Sequence, residues 1–414
     1  MRIESRKINY CGEVTAPPSK SFLQRAIAIA ALASSSSKIS GYEPSDDVNV
    51  AISVVRELGA RVEIKQDKLF IYPAKCSSDF VKINCRESGL SARMFSPVAA
   101  LLYREAIVSG EGTLLNRPMG MVIDALEQLG KNVSSNGGRL PIRIEGVLKG
   151  GATVIDGSES SQLLTGLLIA LPILTVDSTL HVNDLKSIPY VQMTLDVLQL
   201  FNIRIRQNNF QTFYIEGRQE PAGINCKAEG DWSGAAFHLV GGAIAGEVSV
   251  EGLNPESAQA DRAILNTLMQ VGAKVKCENQ TVSVSKNQLN SFDFDATHCP
   301  DLFPPLVVLA AACKGLSTIK GVSRLTHKES NRAVTLQEEL GKMGARIKLN
   351  DDVMIIDGGG QIKGATASSR NDHRIAMAIA TLSLLTNEIV EIQNPEAISK
   401  SYPGFYKDFN KLNR

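Results

Sequence analysis

The chain has 414 residues, of which 43% are hydrophobic, 21% are charged and 5% are aromatic. Its 44 basic and 43 acidic residues leave a net charge of +1, so no overall field attracts nucleic acid or an anionic membrane. The scarcity of aromatic residues also disfavours a platform for stacked bases. A chain of this length exceeds what one hydrophobic core usually supports, and it predicts two domains.

Cysteine and histidine usage excludes further classes of protein. The seven cysteines are scattered without a CxxC pair, which indicates free thiols in a reducing compartment. The five histidines form no metal-binding spacing, so no metal site is predicted. The polar start MRIESRKINY is unlike a signal peptide, and the longest apolar run, 163–176, is too short to span a bilayer. We therefore expect a cytoplasmic protein.

The first predicted helix follows the stretch TAPPSKSFLQRAIAIAALA, residues 15–33. Prolines stiffen its entry, Ser19 or Ser21 can cap it, and small apolar residues form its body. Lys20 lies at the corner, and Arg25 follows about one helical turn after Ser21. Unpaired backbone N–H groups, hydroxyls and two cations together suit a phosphate or carboxylate. Taken alone, the stretch is more typical of an ordinary capped helix.

The same polar corner and apolar helix recur along the whole chain. Corners at Ser19, Ser88, Ser160, Asp231, Asp301 and Asn371 are 69, 72, 71, 70 and 70 residues apart. Between them, amphipathic helices end in Gly (Asn202 in the third copy) and pass into alternating strands. One unit therefore reads as strand, apolar helix, strand, amphipathic helix and strand pair.

The repeat predicts an α/β fold of six units, with buried helices ringed by sheets and three units in each domain. An opening strand at 2–10 most simply pairs with the C-terminal half of the chain. One domain is then discontinuous and comprises residues 1–18 and 229–414, whereas residues 19–228 form an inserted domain. We expect the polar corners to meet in a cleft between the domains, because packing alone does not require charge at the start of an apolar helix.

Nine motifs occur in order over nearly the full length: PPSKSFLQRA, NRPMGMVIDAL, DGSESSQLLTGLL, SIPYVQMTL, EGDWSGAAF, PDLFPPL, HKESNR, NDHRIAMA and SKSYPGF. Together they resemble the successive motifs of the 5-enolpyruvylshikimate-3-phosphate synthase family. The resemblance implies an enolpyruvyl transferase fold of two three-unit domains, with the active site between them. It also implies transfer of the enolpyruvyl group of phosphoenolpyruvate to the 5-hydroxyl of shikimate 3-phosphate, with release of phosphate and without a cofactor. Such an enzyme serves aromatic amino acid biosynthesis and is a glyphosate target.

The resemblance also implies roles for individual residues. Shikimate 3-phosphate is expected to contact Lys20, Ser21, Arg25, Ser160, Ser161, Gln162, Ser187, Asp301, Arg324 and Lys328. Phosphoenolpyruvate is expected to contact Lys20, Gly89, Arg117, Gln162, Arg332, Arg374 and Lys400. The addition–elimination reaction passes through a tetrahedral intermediate, for which Asp301, Glu329 and Lys20 are the candidate proton-transfer groups. Asp301 is the expected proton acceptor, and Asp372 is expected to orient Arg374.

Some positions depart from the family pattern. Leu90 stands where many relatives have Thr, in a loop that shapes the phosphoenolpyruvate pocket and bears on glyphosate tolerance. Asn331 replaces the usual Asp. Thr326 stands where an Arg is frequent, and Arg324 stands where some relatives have Asn. His327 replaces an apolar residue. His373 is as typical of a structural hydrogen-bonder as of a catalyst, and we leave it out of the proton chemistry.

Three alternative functions fit the sequence less well. An enolpyruvyl transferase acting on a UDP-amino sugar usually has Lys-Asn at the first corner and a reactive cysteine, whereas this chain has Lys-Ser and no cysteine between Cys85 and Cys226. A clamp-like ring needs basic helices, which the repeated helices are not. A binding protein without turnover is disfavoured by the complete set of charged site residues. We expect a monomer that binds neither nucleic acid nor a membrane.

Overall fold

A computed structural model describes residues 1–3, 9–326 and 328–413. The chain divides into two compact units, one made of Met1–Ser19 with Glu229–Arg414 and the other of Lys20–Ala228. We call the first the split unit and the second the continuous unit. Each is described by itself below.

The described residues contain twelve α-helices, and every second one is almost wholly buried. In chain order they are α1 Lys20–Ala30, α2 Asp46–Glu57, α3 Gly89–Leu102, α4 Gly120–Gln128, α5 Gln162–Ala170, α6 Ile188–Leu200, α7 Trp232–Ala245, α8 Ile264–Gln270, α9 Phe303–Ala312, α10 Arg332–Lys342, α11 His373–Leu382 and α12 Phe405–Leu412. Every residue of α7 and of α11 is buried, which confirms the prediction of apolar helices within the cores. No helix of the described residues combines the length and apolar character needed to cross a membrane.

The strands of the described residues are short. They are β1 Arg2–Ile3, β2 Tyr10–Thr15, β3 Ser37–Ser40, β4 Arg61–Lys65, β5 Lys68–Tyr72, β6 Phe80–Asn84, β7 Glu105–Ser109, β8 Lys131–Asn136, β9 Arg139–Gly146, β10 Ala152–Asp156, β11 Ser178–Asn183, β12 Arg206–Asn208, β13 Thr212–Ile215, β14 Asn225–Lys227, β15 Gly246–Glu251, β16 Lys274–Glu278, β17 Thr281–Ser285, β18 Asp293–Asp295, β19 Gly315–Lys320, β20 Arg346–Asn350, β21 Val353–Gly358, β22 Thr366–Ser368 and β23 Val390–Gln393.

Five of the six sheets in the described residues share one strand order. In the second of the six repeats, β6 pairs in parallel with β7, and α3 connects the two strands. β9 pairs antiparallel with β7, and β8 completes the order β6-β7-β9-β8. The orders β14-β3-β5-β4, β10-β11-β13-β12, β2-β15-β17-β16 and β18-β19-β21-β20 repeat it. The sixth sheet has three strands in the order β1-β23-β22. The α/β fold with six units of sheet and helix is therefore confirmed.

Two strands pair within a different repeat from the one that their position in the chain suggests. β2 precedes α1 in the chain but pairs in parallel with β15, whereas β14 precedes α7 but pairs in parallel with β3. The predicted pairing of the opening segment with the C-terminal half is confirmed, because β1 pairs with β23 and β2 with β15. A single opening strand over 2–10 is wrong, since β1 and β2 belong to different sheets, and residues 4–8 of that prediction lie outside the described residues.

The predicted helix ends also adopt their expected backbone conformation. Gly59 follows α2 with φ of 94°, and Asn202, the substitute in the third copy, follows α6 with φ of 63°. Both angles lie in the left-handed region that reverses the chain after a helix. The six repeated helix starts and the five repeated helix ends thus set the positions of polar side chains at the ends of the helices.

Candidate active site

Polar side chains join three helix N-termini within the continuous unit. Gln24 of α1 donates to the hydroxyls of Ser88 and Ser91 at the start of α3, each at 3.3 Å. Arg93 of α3 donates to Oε1 of Gln162, the first residue of α5, at 3.0 Å. Because helix N-termini carry unpaired N–H groups and partial positive charge, this region favours anions.

Lys20, the first residue of α1, forms an ion pair that the sequence analysis missed. Its Nζ lies 2.9 Å from Oδ2 of Asp47 in the first turn of α2, and the two side chains are only 15% and 10% exposed. No motif marks Asp47 in the sequence, because the pairing depends on how α1 and α2 pack. The contact fixes the ammonium group of Lys20 at the N-terminus of α1.

Arg25 lies on the next turn of α1 and is 2% exposed. Its guanidinium donates to Thr194 Oγ1 at 2.9 Å and Thr165 Oγ1 at 3.4 Å. It also donates to the carbonyl oxygens of Ser21 at 2.8 Å and Tyr190 at 3.2 Å. Burial lowers the pKa of Arg25 to about 10, although its interaction with Tyr190 works to raise that pKa. The guanidinium is therefore still charged at neutral pH. All four partners are uncharged, and an anion would complete the site.

Gly89, the first residue of α3, makes room for two arginines. A Cβ placed there would lie 2.7 Å from Nη1 of Arg117 and 3.2 Å from Nη1 of Arg93. The missing side chain therefore leaves room for both guanidinium groups beside the start of α3. Leu90 beside it is half-buried and packs against the core of the continuous unit.

The remaining predicted residues of this unit lie at the starts of α5 and α6. The Ser160 hydroxyl accepts from the backbone N–H of Gln162 at 3.2 Å, and Ser161 is the buried residue that precedes α5. Ser187, also buried, precedes α6 with φ of 57°, a left-handed conformation that is uncommon for serine. Lys20, Ser21, Arg25, Gly89, Arg117, Ser160, Ser161, Gln162 and Ser187 all belong to the continuous unit.

In the split unit, Arg332 at the start of α10 binds three carboxylates. Its Nη1 lies 3.0 Å from Asp301, its Nη2 2.6 Å from Glu329 and its Nε 2.9 Å from Asp372. Burial works to lower the pKa of Arg332, but the charges of Asp372, Glu329 and Asp301 outweigh it and raise that pKa. We call Asp301, Glu329 and Asp372 with Arg332 and Arg374 the carboxylate cluster.

Asp301 lies in a short 3₁₀-helix, Pro300–Leu302, that leads into α9. Its Oδ1 contacts Arg332, and its Oδ2 lies 3.0 Å from Nη2 of Arg374. Nη1 of Arg374 donates to the Asp301 carbonyl oxygen at 3.3 Å. Nζ of Lys328 lies 3.7 Å from Oδ1. Both carboxylate oxygens of Asp301 therefore face cations.

Two lysines and a third arginine border the carboxylate cluster. Burial lowers the pKa of Lys328 to about 8, partly opposed by the negative charge of Asp301, and the charge of Arg324 adds to the lowering. Arg324 lies in the short 3₁₀-helix Val322–Leu325. Lys400 is buried, and its Nζ lies 3.9 Å from Oε1 of Glu329. The split unit thus gathers Asp301, Arg324, Lys328, Glu329, Arg332, Arg374 and Lys400.

Comparison with known proteins identifies the family. The model of the family EPSP synthase (3-phosphoshikimate 1-carboxyvinyltransferase) matches residues 6–409. The chain belongs to the EPSP synthase family. A 3-phosphoshikimate 1-carboxyvinyltransferase of Clostridium perfringens (strain SM101) is 36% identical over 405 residues, covering 97% of this chain and 96% of the relative. That of Clostridium kluyveri is 36% identical over 406 residues, with 97% and 95% covered.

Solved structures agree in fold. An EPSP synthase of Acinetobacter baumannii has a TM-score of 0.85 at 23% identity, covering 100% of this chain and 98% of the other. The enolpyruvyl transferase NikO of Streptomyces tendae has a TM-score of 0.81 at 18% identity, with 99% and 96% covered. The resemblance stated from the motifs is confirmed. The chain is a transferase of the shikimate pathway that moves the enolpyruvyl group of phosphoenolpyruvate to shikimate 3-phosphate.

One expectation for this EPSP synthase needs correction. Asp372 was expected to orient Arg374, but its carboxylate meets Arg374 only at the backbone N–H, at 3.0 Å, where it caps α11. Its side chain instead holds the guanidinium of Arg332. Arg332 is 40 residues away, so its pairing with Asp372 depends on how α10 and α11 pack rather than on a local motif.

The departures from the EPSP synthase pattern have simple structural roles. The Asn331 side chain caps α10 by accepting from the backbone N–H of Val334 at 3.5 Å. Thr326 is exposed and donates to the carbonyl oxygen of Ser323 at 3.3 Å. His327 lies outside the described residues. Leu90 offers no hydroxyl, so it differs chemically from the usual Thr at the entrance of α3.

Two acidic features of the split unit were not foreseen. Asp261 is buried and accepts a hydrogen bond from the Ser233 hydroxyl. Burial, and then the charge of Asp301, raise the pKa of Asp261 to about 7, with Arg374 opposing. Ligand atoms of Glu329, Asp372 and His373 lie within 4.8 Å of one another, but Arg332 already supplies positive charge to both carboxylates.

Proposed function

We propose that Asp301 accepts the proton of the 5-hydroxyl of shikimate 3-phosphate when this chain transfers the enolpyruvyl group. One observation carries the proposal. Both oxygens of the Asp301 carboxylate lie 3.0 Å from a guanidinium, one of Arg332 and one of Arg374. An anionic substrate that binds these guanidinium groups offsets the positive charge around Asp301. The Asp301 carboxylate then becomes a stronger base.

The anion-binding residues divide by substrate. We assign shikimate 3-phosphate to Lys20, Ser21, Arg25, Ser160, Ser161, Gln162, Ser187, Asp301, Arg324 and Lys328, and phosphoenolpyruvate to Lys20, Gly89, Arg117, Gln162, Arg332, Arg374 and Lys400. The uncharged hydrogen-bond partners of Arg25 support this assignment, because a buried guanidinium without a carboxylate among these contacts gains most from an incoming phosphate. Arginines bind phosphate and carboxylate with two parallel hydrogen bonds.

The chemistry needs one base, one acid and strong anion binding. In the addition step, the 5-oxygen bonds to C2 of phosphoenolpyruvate, Asp301 takes the hydroxyl proton, and C3 receives a proton to become a methyl group. Glu329 and Lys20 share that second transfer. In the elimination step, the C2–O bond to phosphate breaks and the methyl group returns a proton, which restores the double bond. Each positioned acid or base contributes roughly 10²–10⁴-fold to the rate.

The organisation of the protein follows from the same proposal. The split unit and the continuous unit are the two domains of the enzyme. One chain carries every assigned residue, so we propose that it acts as a monomer. Its seven cysteines are all free, which supports a reducing, cytoplasmic location.

The test is phosphate release from phosphoenolpyruvate, measured with and without shikimate 3-phosphate. We expect release only with both substrates, and a loss of at least about 10²-fold in kcat for Asp301→Asn, which keeps the shape of the side chain. Asp295→Asn is the matched control, because Asp295 is an exposed carboxylate six positions earlier that contacts Lys320 at 3.7 Å. It should retain the activity of the wild type.

Two outcomes would contradict the proposal. Phosphate release with a UDP-amino sugar, but not with shikimate 3-phosphate, would favour the other class of enolpyruvyl transferase. Full activity of Asp301→Asn would remove Asp301 from the proton chemistry and leave the transfer reaction to another base.

A further inference from the structure

Arg93 is a buried cation of the continuous unit to which the family resemblance gives no role. It lies on the second turn of α3 and is 6% exposed. Its Nη1 donates to Oε1 of Gln162 at 3.0 Å, and its Nη2 donates to the carbonyl oxygen of Pro118 at 3.2 Å. It therefore joins Gln162, which is assigned to phosphoenolpyruvate, with the carbonyl group of Pro118, the residue after Arg117.

The contact with Arg93 determines which way the Gln162 amide faces. A guanidinium has only hydrogen-bond donors, so the amide oxygen must point towards it. The amide nitrogen Nε2, which has two N–H groups, is then directed away from Arg93. Gln162 is left as a hydrogen-bond donor at the N-terminus of α5, where an anionic substrate needs one.

The frame that holds this contact is closely packed. A Cβ on Gly166 of α5 would lie 2.4 Å from the carbonyl oxygen of Met94, the residue after Arg93. The backbones of α3 and α5 therefore approach as closely as a glycine allows. Neither helix can shift to compensate for a lost Arg93–Gln162 contact without disturbing this packing.

Positive charge at Arg93 is not compensated by its hydrogen bonds. Both of its acceptors are uncharged oxygens, and its buried Nε has no hydrogen-bond partner among the described residues. Burial, and then the charge of Arg117, lower the pKa of Arg93 to about 10, with Glu159 opposing. A bound anion near Gly89, where Nη1 atoms of Arg93 and Arg117 both approach, would relieve this repulsion.

We propose that Arg93 is a positioning residue for phosphoenolpyruvate: it turns Gln162 Nε2 towards the substrate and holds the peptide after Arg117 in place. The inference rests on the proposed function, which assigns Arg117 to phosphoenolpyruvate and Gln162 to both substrates. Arg93 acts through Gln162 and Arg117 rather than by touching the substrate. It favours an anionic substrate because it fixes the orientation of the Gln162 amide, which could otherwise present either its oxygen or its nitrogen.

The first test is the kinetics of Arg93→Met, which keeps most of the side-chain volume and removes the donors. We expect KM for phosphoenolpyruvate to rise about 10–100-fold. KM for shikimate 3-phosphate should rise less, because Arg93 contacts one residue assigned to that substrate, Gln162, but also lies at Gly89 and Arg117, which are assigned to phosphoenolpyruvate alone. Arg93→Lys retains a donor and the charge, so its KM should be intermediate. Lys131→Met is the control: Lys131 is a buried cation of the same unit whose hydrogen bonds within the described part of the chain go to the carbonyl oxygens of Tyr103 and Gly146.

The second test is a double-mutant cycle with Gln162→Met. If Arg93 acts through Gln162, adding Arg93→Met to Gln162→Met should change KM for phosphoenolpyruvate by less than about threefold. Independent, multiplicative effects would overturn the proposal, as would an Arg93→Met variant with unchanged KM or with equal losses for both substrates. Should Arg93→Met fail to fold, the cycle is run with Arg93→Lys, and the same outcomes decide.

A binding measurement separates this inference from the proposed function. The rise in melting temperature produced by phosphoenolpyruvate alone needs no turnover, and we expect it to be smaller for Arg93→Met than for wild type and Lys131→Met. A wild-type chain that is stabilised by phosphoenolpyruvate but releases no phosphate would contradict the function and keep the role of Arg93. An equal rise in all three proteins would overturn that role whatever the activity.

Discussion

The guanidinium of Arg332 donates from Nε to the carboxylate of Asp372 at 2.9 Å, and their side chains are 1% and 0% exposed. The same carboxylate accepts the backbone N–H of Arg374 at the start of α11. One buried acid therefore ties the first residue of α10 to the N-terminus of α11. Because Arg332 is assigned to phosphoenolpyruvate, this contact fixes one substrate-binding guanidinium relative to the start of α11.

Asp372→Asn should weaken both stability and phosphoenolpyruvate binding. The substitution leaves a buried guanidinium without one of its charged partners, and breaking a buried ion pair costs about 3–5 kcal/mol. KM for phosphoenolpyruvate should rise about 10-fold or more, because Arg332 loses the group that aims it. Denaturant unfolding and steady-state kinetics measure the two effects.

The control for Asp372→Asn is Asp357→Asn, which breaks an exposed ion pair of the same unit. Asp357 and Arg346 are 3.2 Å apart, and about half of each side chain is exposed. Exposed pairs contribute only about 0–1 kcal/mol, so this variant should keep both its stability and its KM. Equal losses in the two variants would show that burial does not set the importance of Asp372.

Gly89→Ala should raise KM for phosphoenolpyruvate by about 10-fold or more, since the new methyl group would displace the guanidinium of Arg117 from a position only 2.7 Å away. Steady-state kinetics with each substrate varied in turn measure the change. Gly120→Ala is the matched control, because Gly120 also begins a helix and no atom of the described residues lies within 4 Å of its Cβ position. Unchanged kinetics in Gly89→Ala would mean that Arg117 does not need its observed position.

Lys131 should make the stability of the chain vary with pH in the alkaline range. Burial lowers its pKa from 10.5 to about 8 in the folded chain, so between these values the unfolded chain binds more protons than the folded one. The free energy of unfolding should therefore rise with pH across that range. Relative to Lys131→Met, the wild type should gain stability between about pH 8 and about pH 10 in urea titrations.

The control for that measurement is Lys82→Met, which removes an exposed lysine on β6. The difference in unfolding free energy between this variant and the wild type should stay constant over the same pH range. A constant difference for Lys131→Met as well would contradict the lowered pKa of Lys131.

His238 should remain neutral and in one tautomer. Its Nδ1 lies 2.7 Å from the Tyr10 hydroxyl and its Nε2 lies 3.2 Å from the Tyr402 hydroxyl, which itself donates to Asp408 at 2.6 Å. The Tyr402 oxygen must then accept from Nε2–H, and Nδ1 accepts from Tyr10. Burial lowers the pKa of His238 to about 3, so its ring should not titrate between about pH 5 and pH 8.

Nitrogen-detected NMR of the imidazole rings checks this prediction directly. The resonances of His238 should show a protonated Nε2 and an unprotonated Nδ1 at every pH in that range. His238→Ala assigns the signals, and a chemical shift that moves with pH would contradict the neutral state. Tyr402→Phe removes the acceptor of Nε2–H and should lower stability by about 1–3 kcal/mol, because a buried donor loses its partner.

Much of the fold could be predicted because its signals are local. The period near 70 residues, the apolar helices after each corner and the glycine helix ends each arise from a few neighbouring residues. Asn202 illustrates this, since its left-handed conformation followed from its place in the repeat alone. The exchange of β2 and β14 was only partly foreseen, because strand pairing depends on which edges remain open after the sheets form.

The sequence by itself determined the repeated α/β architecture, the family and the residue types that gather at the helix starts, because these properties are carried by short motifs in a regular order. Only the tertiary structure decided the partners: Asp47 for Lys20, Gln162 for Arg93 and Asp372 for Arg332. These contacts join residues 27, 69 and 40 positions apart. Their geometry depends on how separate helices pack, and no local pattern encodes the distance between two helices.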